Sequence, residues 1–310
     1  MDYWDGSNRL IFQPIITSIS PEKFRYTSSM KPNRNAPIGV FDSGVGGISV
    51  LRAIRDQMPE ENVIYFGDQG HIPYGSRSMD QIRNFSEAIT GFLLGHQTKI
   101  IVVACNTASA AALKYLRERF SNVQFVGMEP AVKPAVEHTQ TGKVGVLATP
   151  ATFQGALYTS VVERFANGVE LLQSTCPGLV QEIERGNLEG EETRRILESA
   201  LLPMLKKNID TVVLGCTHYP FVIPLIQQIV GENVRVIDPA PAVAKQAKRL
   251  LEAGEARNLS EARGQVTFFT SGDPVSLKSM LPLLLGEDAD VKQVEWADDT
   301  HVKLTTPMQA

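Results

Sequence analysis

Two cysteines end apolar runs in this chain: Cys105 in VVACNTASAAAL (102–113) and Cys216 in VVLGCTHYPF (212–221). Each is followed by polar side chains, Asn106-Thr107 and Thr217-His218, where a buried strand would otherwise continue apolar. Taken alone, such a thiol is a small buried filler, a metal ligand, a nucleophile or a base. No C-x-x-C pair is present, so a structural zinc site has little support. A cysteine hydrolase needs one nucleophile with its base and an orienting group, and a second matched thiol is surplus to that chemistry.

Two thiols opposed across one cleft suit another reaction. Inverting a stereocentre removes a proton from one face and delivers one to the other. A thiolate and a thiol can do this, and they exchange roles when the reaction runs backward. The small residues after Cys105 predict a helix whose N-terminus would favour the thiolate. Backbone N–H groups at helix starts, with the hydroxyls of Ser43, Thr107 and Thr217, would hold substrate carboxylates and stabilise a carbanion-like transition state. His218, two residues past Cys216 at a helix start, is a candidate acid or base. Asp42, in IGVFDSG (38–44), either caps the next helix or orients a thiol or a substrate ammonium. Cys176, in STCPGLVQEIERG, has no matched partner and reads as a small buried residue.

The elements that must position these groups alternate between strand and helix from about residue 38. IGVFDSG, NVIYFGD (62–68) and KIIVVACN (99–106) read as strands of a sheet buried on both faces, with amphipathic helices between them. This pattern predicts an α/β fold with mostly parallel sheets. The pattern then recurs: KVGVLATPATFQGAL (143–157) echoes PIGVFDSGVGGISVL (37–51), and TVVLGCTHYPF (211–221) echoes IVVACNTASAA (101–111). A repeat on this scale implies two pseudo-symmetric lobes, each a sheet flanked by helices, with the site in the cleft between them. The expected division is an N-terminal extension at 1–37, a first lobe of 38–132 plus 243–310, and a second lobe of 133–242. Pro-containing stretches at 128–142 and 237–246 read as the crossings. VTFFTSGDP (266–274) is expected to complete the first sheet.

Composition narrows the classes. The chain has 310 residues, is 43% hydrophobic and 21% charged, and carries a net charge of −4. That describes a globular protein with a full core and argues against a nucleic-acid binder. No apolar run approaches the roughly 18–20 residues that span a bilayer. The first 37 residues lack a basic start followed by an apolar core, so no secretory signal is expected. Three widely spaced cysteines make no disulfide framework and fit a reducing cytoplasm. Gly44-Val45-Gly46-Gly47 is similar to a dinucleotide loop, but the third glycine of G-x-G-x-x-G would fall at Ser49. Gly142-Lys143 is followed by Val144, so it is no Walker A motif.

IGVFDSGVGGISVLRAI (38–54), DQGHIPYGSRS (68–78), VVACNTASAAAL and VVLGCTHYPF, in this order, resemble the glutamate racemases, which work without pyridoxal phosphate. The resemblance covers most of the chain apart from the N-terminal arm. It implies interconversion of L- and D-glutamate for peptidoglycan, with no cofactor or metal. It implies Cys105 and Cys216 as the acid/base pair, Asp42 assisting the first and His218 the second. Substrate would bind at Asp42, Ser43, Tyr74, Gly75, Asn106, Thr107, Thr217 and His218. Glu184, in VQEIERG, resembles the family's further acidic helper, and Asp68 is a weaker candidate of the same kind. The resemblance also implies a homodimer. Some Gram-negative members with longer N-termini are activated by UDP-N-acetylmuramoyl-alanine, and the 37-residue arm makes that compound a candidate partner here. The nearest alternative is a racemase of the same mechanism acting on aspartate or another amino acid. A two-lobed binding protein and a cysteine hydrolase are more distant.

Overall fold

IGVFD forms β1 (Ile38–Asp42), buried at every residue, because its branched and aromatic side chains have helices on both sides to cover them. The computed structural model describes residues 33–298 and 300–304, so the expected extension at 1–37 lies outside the described residues except for 33–37. In chain order β1 is followed by α1 (Ile48–Gln57), β2 (Val63–Gly67), α2 (Met79–Gly95), β3 (Ile100–Val103), α3 (Asn106–Arg119) and β4 (Phe125–Gly127). Ser78 caps α2 in a reciprocal capping box with Gln81, which fixes where that helix begins.

The second half repeats the plan. Helix α4 (Val132–His138) leads into β5 (Lys143–Ala148), then α5 (Pro150–Gln154), α6 (Ala156–Phe165) and β6 (Glu170–Ser174). Next come α7 (Leu179–Glu184), α8 (Glu191–Leu205), β7 (Thr211–Gly215), α9 (Ile223–Val230) and β8 (Arg235–Ile237). Helix α10 (Ala240–Ala253) brings the chain back to pack on α1, and β9 (Val266–Thr270), α11 (Pro274–Leu284), β10 (Val291–Asp298) and β11 (His301–Leu304) end the described chain.

Two sheets result, in the orders β11-β10-β9-β2-β1-β3-β4 and β6-β5-β7-β8. All pairings are parallel except β10 with β11. The block β2-β1-β3-β4 matches β6-β5-β7-β8 strand for strand, so Cys105 after β3 and Cys216 after β7 are topologically equivalent. Strand order reverses between β1 and β3, and again between β5 and β7. Such switch points open a crevice at the carboxyl ends of the strands.

Two expectations change. VTFFT does not complete the first sheet: β9 lies inside it, between β2 and β10. Only Val294 of β10 is buried, so that strand offers no apolar run for a sequence reading to find. The stretch at 128–142, read as a plain crossing, contains α4 with Val132 and Ala135 buried against the second sheet.

The largest core cluster joins the halves, combining Val40, Ile48 and Ile54 with Leu197, Leu214 and Leu225. At about 1.5–3 kcal/mol per buried large apolar side chain, this shared packing holds the two switch points against each other.

Candidate active site

A small, tight pocket lies between the sheets. It is lined by strand ends from both halves: Ser43 after β1, Cys105, Asn106 and Thr107 after β3, Thr149 after β5, and Cys216, Thr217 and His218 after β7. Ile72, Pro73, Tyr74, Gly75 and Val180 complete the wall. Both thiols are free and buried, and both face this one pocket.

Cys105 is the N-cap of α3, and its Sγ accepts from the Ala108 N–H at 3.4 Å and lies 3.8 Å from Ser43 Oγ. The helix expected there exists, but its end does not win. Burial, reinforced by the nearby Asp42 carboxyl, pushes the Cys105 thiol far up, against the smaller pull of Ala108 and Ser43. Cys216 has no α-helix behind it, contrary to expectation: a single 3₁₀ turn, Tyr219–Val222, follows, and α9 starts only at Ile223. Its Sγ faces His218 Nδ1 at 3.8 Å. His218 Nε2 in turn meets Glu184 Oε1 at 2.6 Å.

Burial alone would lower the His218 pKa, but Cys216 and Glu184 outweigh it and lift the imidazole well above its ordinary value. Burial would raise Glu184, yet hydrogen bonds from His218, the Val45 N–H (2.8 Å) and Gln69 Nε2 (3.1 Å) hold it below the usual range. Both shifts favour the charged forms, imidazolium beside carboxylate. Glu184 reaches it from the last residue of α7, which the loose local likeness of VQEIERG alone could not locate.

Asp42 is fully buried at the end of β1 and does not line the pocket. Its Oδ1 accepts from Thr217 Oγ1 at 3.2 Å and its Oδ2 from the Gly44 N–H at 3.1 Å. Burial raises its pKa, and Glu184 adds to the rise. It therefore stands directly behind Thr217, held by that hydroxyl and the Gly44 N–H. Tyr74 lines the pocket, but its hydroxyl is donated to Asp68 Oδ2 at 2.6 Å. Asp68 touches neither thiol: its carboxylate also accepts from Ser271 Oγ (2.6 Å) and Trp296 Nε1 (2.8 Å) and meets His71 Nδ1 (3.0 Å). It anchors the 68–76 loop that carries Tyr74 and Gly75.

Asn106 is 3% exposed, lines the pocket, and leaves both amide atoms without a partner. A buried amide left in this state costs about 1–3 kcal/mol per group, a penalty that a polar ligand in the pocket would remove. Thr107 Oγ1 meets Thr149 Oγ1 at 2.9 Å across the cleft. The motif DQGHIPYGSRS contains Gln69, Ile72 and Pro73 without assigning them a role, and none followed from the sequence for Thr149 or Val180. Cys176 is buried outside the pocket with its thiol pushed up to about 12 by burial.

The glycines of DSGVGG prove to be a matter of close approach. A Cβ on Gly44 would lie 2.1 Å from Glu184 Oε1, and one on Gly46 2.5 Å from His218 Nδ1. They are bare so that the second half can press Glu184 and His218 against the first. Among the described residues no group of three or more His, Cys, Asp or Glu could hold a metal ion, and no helix is long and apolar enough to cross a membrane.

The sequence model of the Asp/Glu/hydantoin racemases matches residues 39–247. A glutamate racemase of Ectopseudomonas mendocina is 48% identical over 257 residues, covering 83% of this chain and 97% of that protein. Among solved structures, a glutamate racemase isoform of Bacillus anthracis superposes with a TM-score of 0.76 at 32% identity, over 85% of this chain and 98% of that one. The Escherichia coli glutamate racemase, in complex with L-glutamate and the activator UDP-MurNAc-Ala, gives 0.72 at 32% identity, over 83% and 97%. The chain belongs to the Asp/Glu/hydantoin racemase family, among its glutamate racemases.

Proposed function

We propose that this protein interconverts L- and D-glutamate by a two-thiol proton transfer at Cα, without a cofactor. The observation that carries this reading is the pair of thiols at equivalent strand ends, both lining one pocket furnished with hydrogen-bonding side chains. The thiolate of one cysteine takes the Cα proton as the C–H bond breaks. The electron pair spreads onto the α-carboxylate, and the other thiol delivers its proton to the opposite face, leaving thiol and thiolate exchanged.

The surroundings of the two thiols differ. Burial and Asp42 keep Cys105 a thiol, which suits the proton donor. The His218–Glu184 pair can exchange a proton with Cys216, which suits the acceptor. Ser43, Asn106, Thr107, Thr217 and the Tyr74-Gly75 backbone supply donors for the two carboxylates and a partner for the ammonium. No observation favours aspartate as the substrate.

The product D-glutamate would serve peptidoglycan synthesis, and so cell-wall biogenesis and cell shape, in the cytoplasm. Homodimer formation and activation by UDP-MurNAc-Ala are carried from the family resemblance, and the activator also from the Escherichia coli relative. The division into lobes at 38–132 plus 243–310 and at 133–242 is supported by the membership of the two sheets.

Incubation with L-glutamate in D₂O tests the activity. The expected result is Cα deuterium in both enantiomers with decay of the circular dichroism signal, and absence of both would remove the racemase reading. Adding UDP-MurNAc-Ala to the same assay tests activation, and sedimentation tests the dimer.

A further inference from the structure

The His218–Glu184 pair is held by groups from the opposite side of the cleft. Glu184 ends α7, in the second half. Two of its donors come from loops of the first half: the Val45 N–H, after β1, and Gln69 Nε2, in the turn after β2. The Gln69 amide is itself oriented, because Thr270 Oγ1 donates to Gln69 Oε1 at 2.9 Å and so turns Nε2 toward Glu184. An unbroken chain of polar contacts thus runs from β9 of the seven-stranded sheet through Gln69, Glu184 and His218 to Cys216. Glu184 Oε1 already serves Val45 and His218, whereas Gln69 is the one donor shown for Oε2 among the described residues.

We propose that Gln69 is a positioning residue for the racemisation, holding Glu184 from across the cleft so that His218 faces Cys216. The proposal rests on the two-thiol reading above and extends it to a residue outside the pocket wall. Gln69 touches neither thiol and does not line the pocket. It acts through Glu184, and it makes the helper pair of Cys216 complete only where the two halves meet. Among the described residues Cys105 has no such relay behind it, so the two faces of the substrate would be served by unequal machinery.

The charged and titratable groups facing Glu184 are His218, which lowers its pKa, and the buried Asp42 and Tyr65, which sense its charge. Removing a neutral donor from a carboxylate raises the carboxylate's pKa. One hydrogen bond to a charged group corresponds to a shift of about 1 unit or somewhat more. Gln69 is partly exposed, so a substitution there leaves the core intact.

The test is the titration of the Glu184 carboxyl carbon by NMR in protein labelled with ¹³C-glutamate, assigned by its disappearance in Glu184→Gln. In Gln69→Leu the midpoint is expected to move upward by about 1 unit, and in Gln69→Glu, which sets a carboxylate against a carboxylate, further still. The acidic limb of kcat/KM for glutamate should move with it, in both directions alike because the equilibrium constant is unity. An unmoved midpoint in both variants overturns the proposal, even if thermal stability falls. A moved midpoint in a protein that does not racemise glutamate keeps the positioning role and removes the functional reading instead.

Discussion

Cys105 and Cys216 share a residue type, a strand position and a degree of burial, yet their neighbours differ. Cys105 sits against a helix end, Ser43 and a carboxyl that disfavours its thiolate, while Cys216 sits against an imidazole tied to a carboxylate. In the two-thiol mechanism proposed above, both thiols are needed in every turnover. Replacement of either by serine should therefore reduce racemisation by more than the roughly 10²–10⁴-fold attached to a single general acid or base, measured by circular dichroism with each enantiomer. Loss through only one of the two would refute the two-base mechanism.

The helper pair also leaves a signature in stability. Glu184 is depressed below its ordinary 4.5, so its contribution is present above that pH and is lost as pH falls through the folded value. His218 is raised above its ordinary 6.5, so its contribution is full below that pH and is lost as pH rises through the folded value. Both contributions overlap between pH 4.5 and 6.5. Urea unfolding of Glu184→Gln against the parent should show its largest deficit, up to about 2 kcal/mol, in that window. A deficit independent of pH would mean that the pair is not ionised.

At the scale of elements, the loop from β1 into α1 decides how near the halves come. Gly44 and Gly46 lie where Glu184 and His218 arrive, and neither position has room for a methyl group. Gly44→Ala should displace the Glu184 carboxylate and lower kcat by about 10²-fold, the scale of a 1 Å misplacement in a catalytic constellation. The fold should survive, because Gly44 has no left-handed backbone to lose. An unchanged kcat with an unchanged far-ultraviolet spectrum would count against the close-approach account. The repeat of β2-β1-β3-β4 in β6-β5-β7-β8 was legible at this scale through its apolar runs and echoed thiols. The pair β10–β11 was not, since it lies at a sheet edge with mostly exposed side chains.

Across the whole molecule, the end of the first sheet away from the pocket is closed by a buried ion pair. Lys99 Nζ meets Glu61 Oε2 at 2.5 Å and donates to the Arg34 and Ala256 carbonyls, while Glu61 Oε1 accepts from the Asn258 N–H. These contacts join the start of β3 to the chain as it returns from α10. The two side chains are 2% and 0% exposed, so removing one partner strands a charge in the interior. Lys99→Met is expected to destabilise the fold by about 3–5 kcal/mol in urea unfolding. Racemisation per folded molecule should stay unchanged, because the pair is remote from the thiols. A loss of specific activity at full folding would show instead that the lobes are coupled through this end.

The sequence by itself determined the parallel α/β halves, the matched thiols and the candidate donors around them, because apolar runs, strand-end residue types and their repetition are local properties of the chain. The tertiary structure decided the rest. It placed Asp42 behind Thr217, tied the Tyr74 hydroxyl to Asp68, and brought the Gln69 amide to the Glu184 carboxylate, 115 residues away along the chain. It also raised the pKa of the Cys105 thiol, since burial and a neighbouring carboxyl outweigh the helix end that the sequence had pointed to. Desolvation and contacts across the cleft depend on which surfaces meet, and no stretch of the chain contains that information alone.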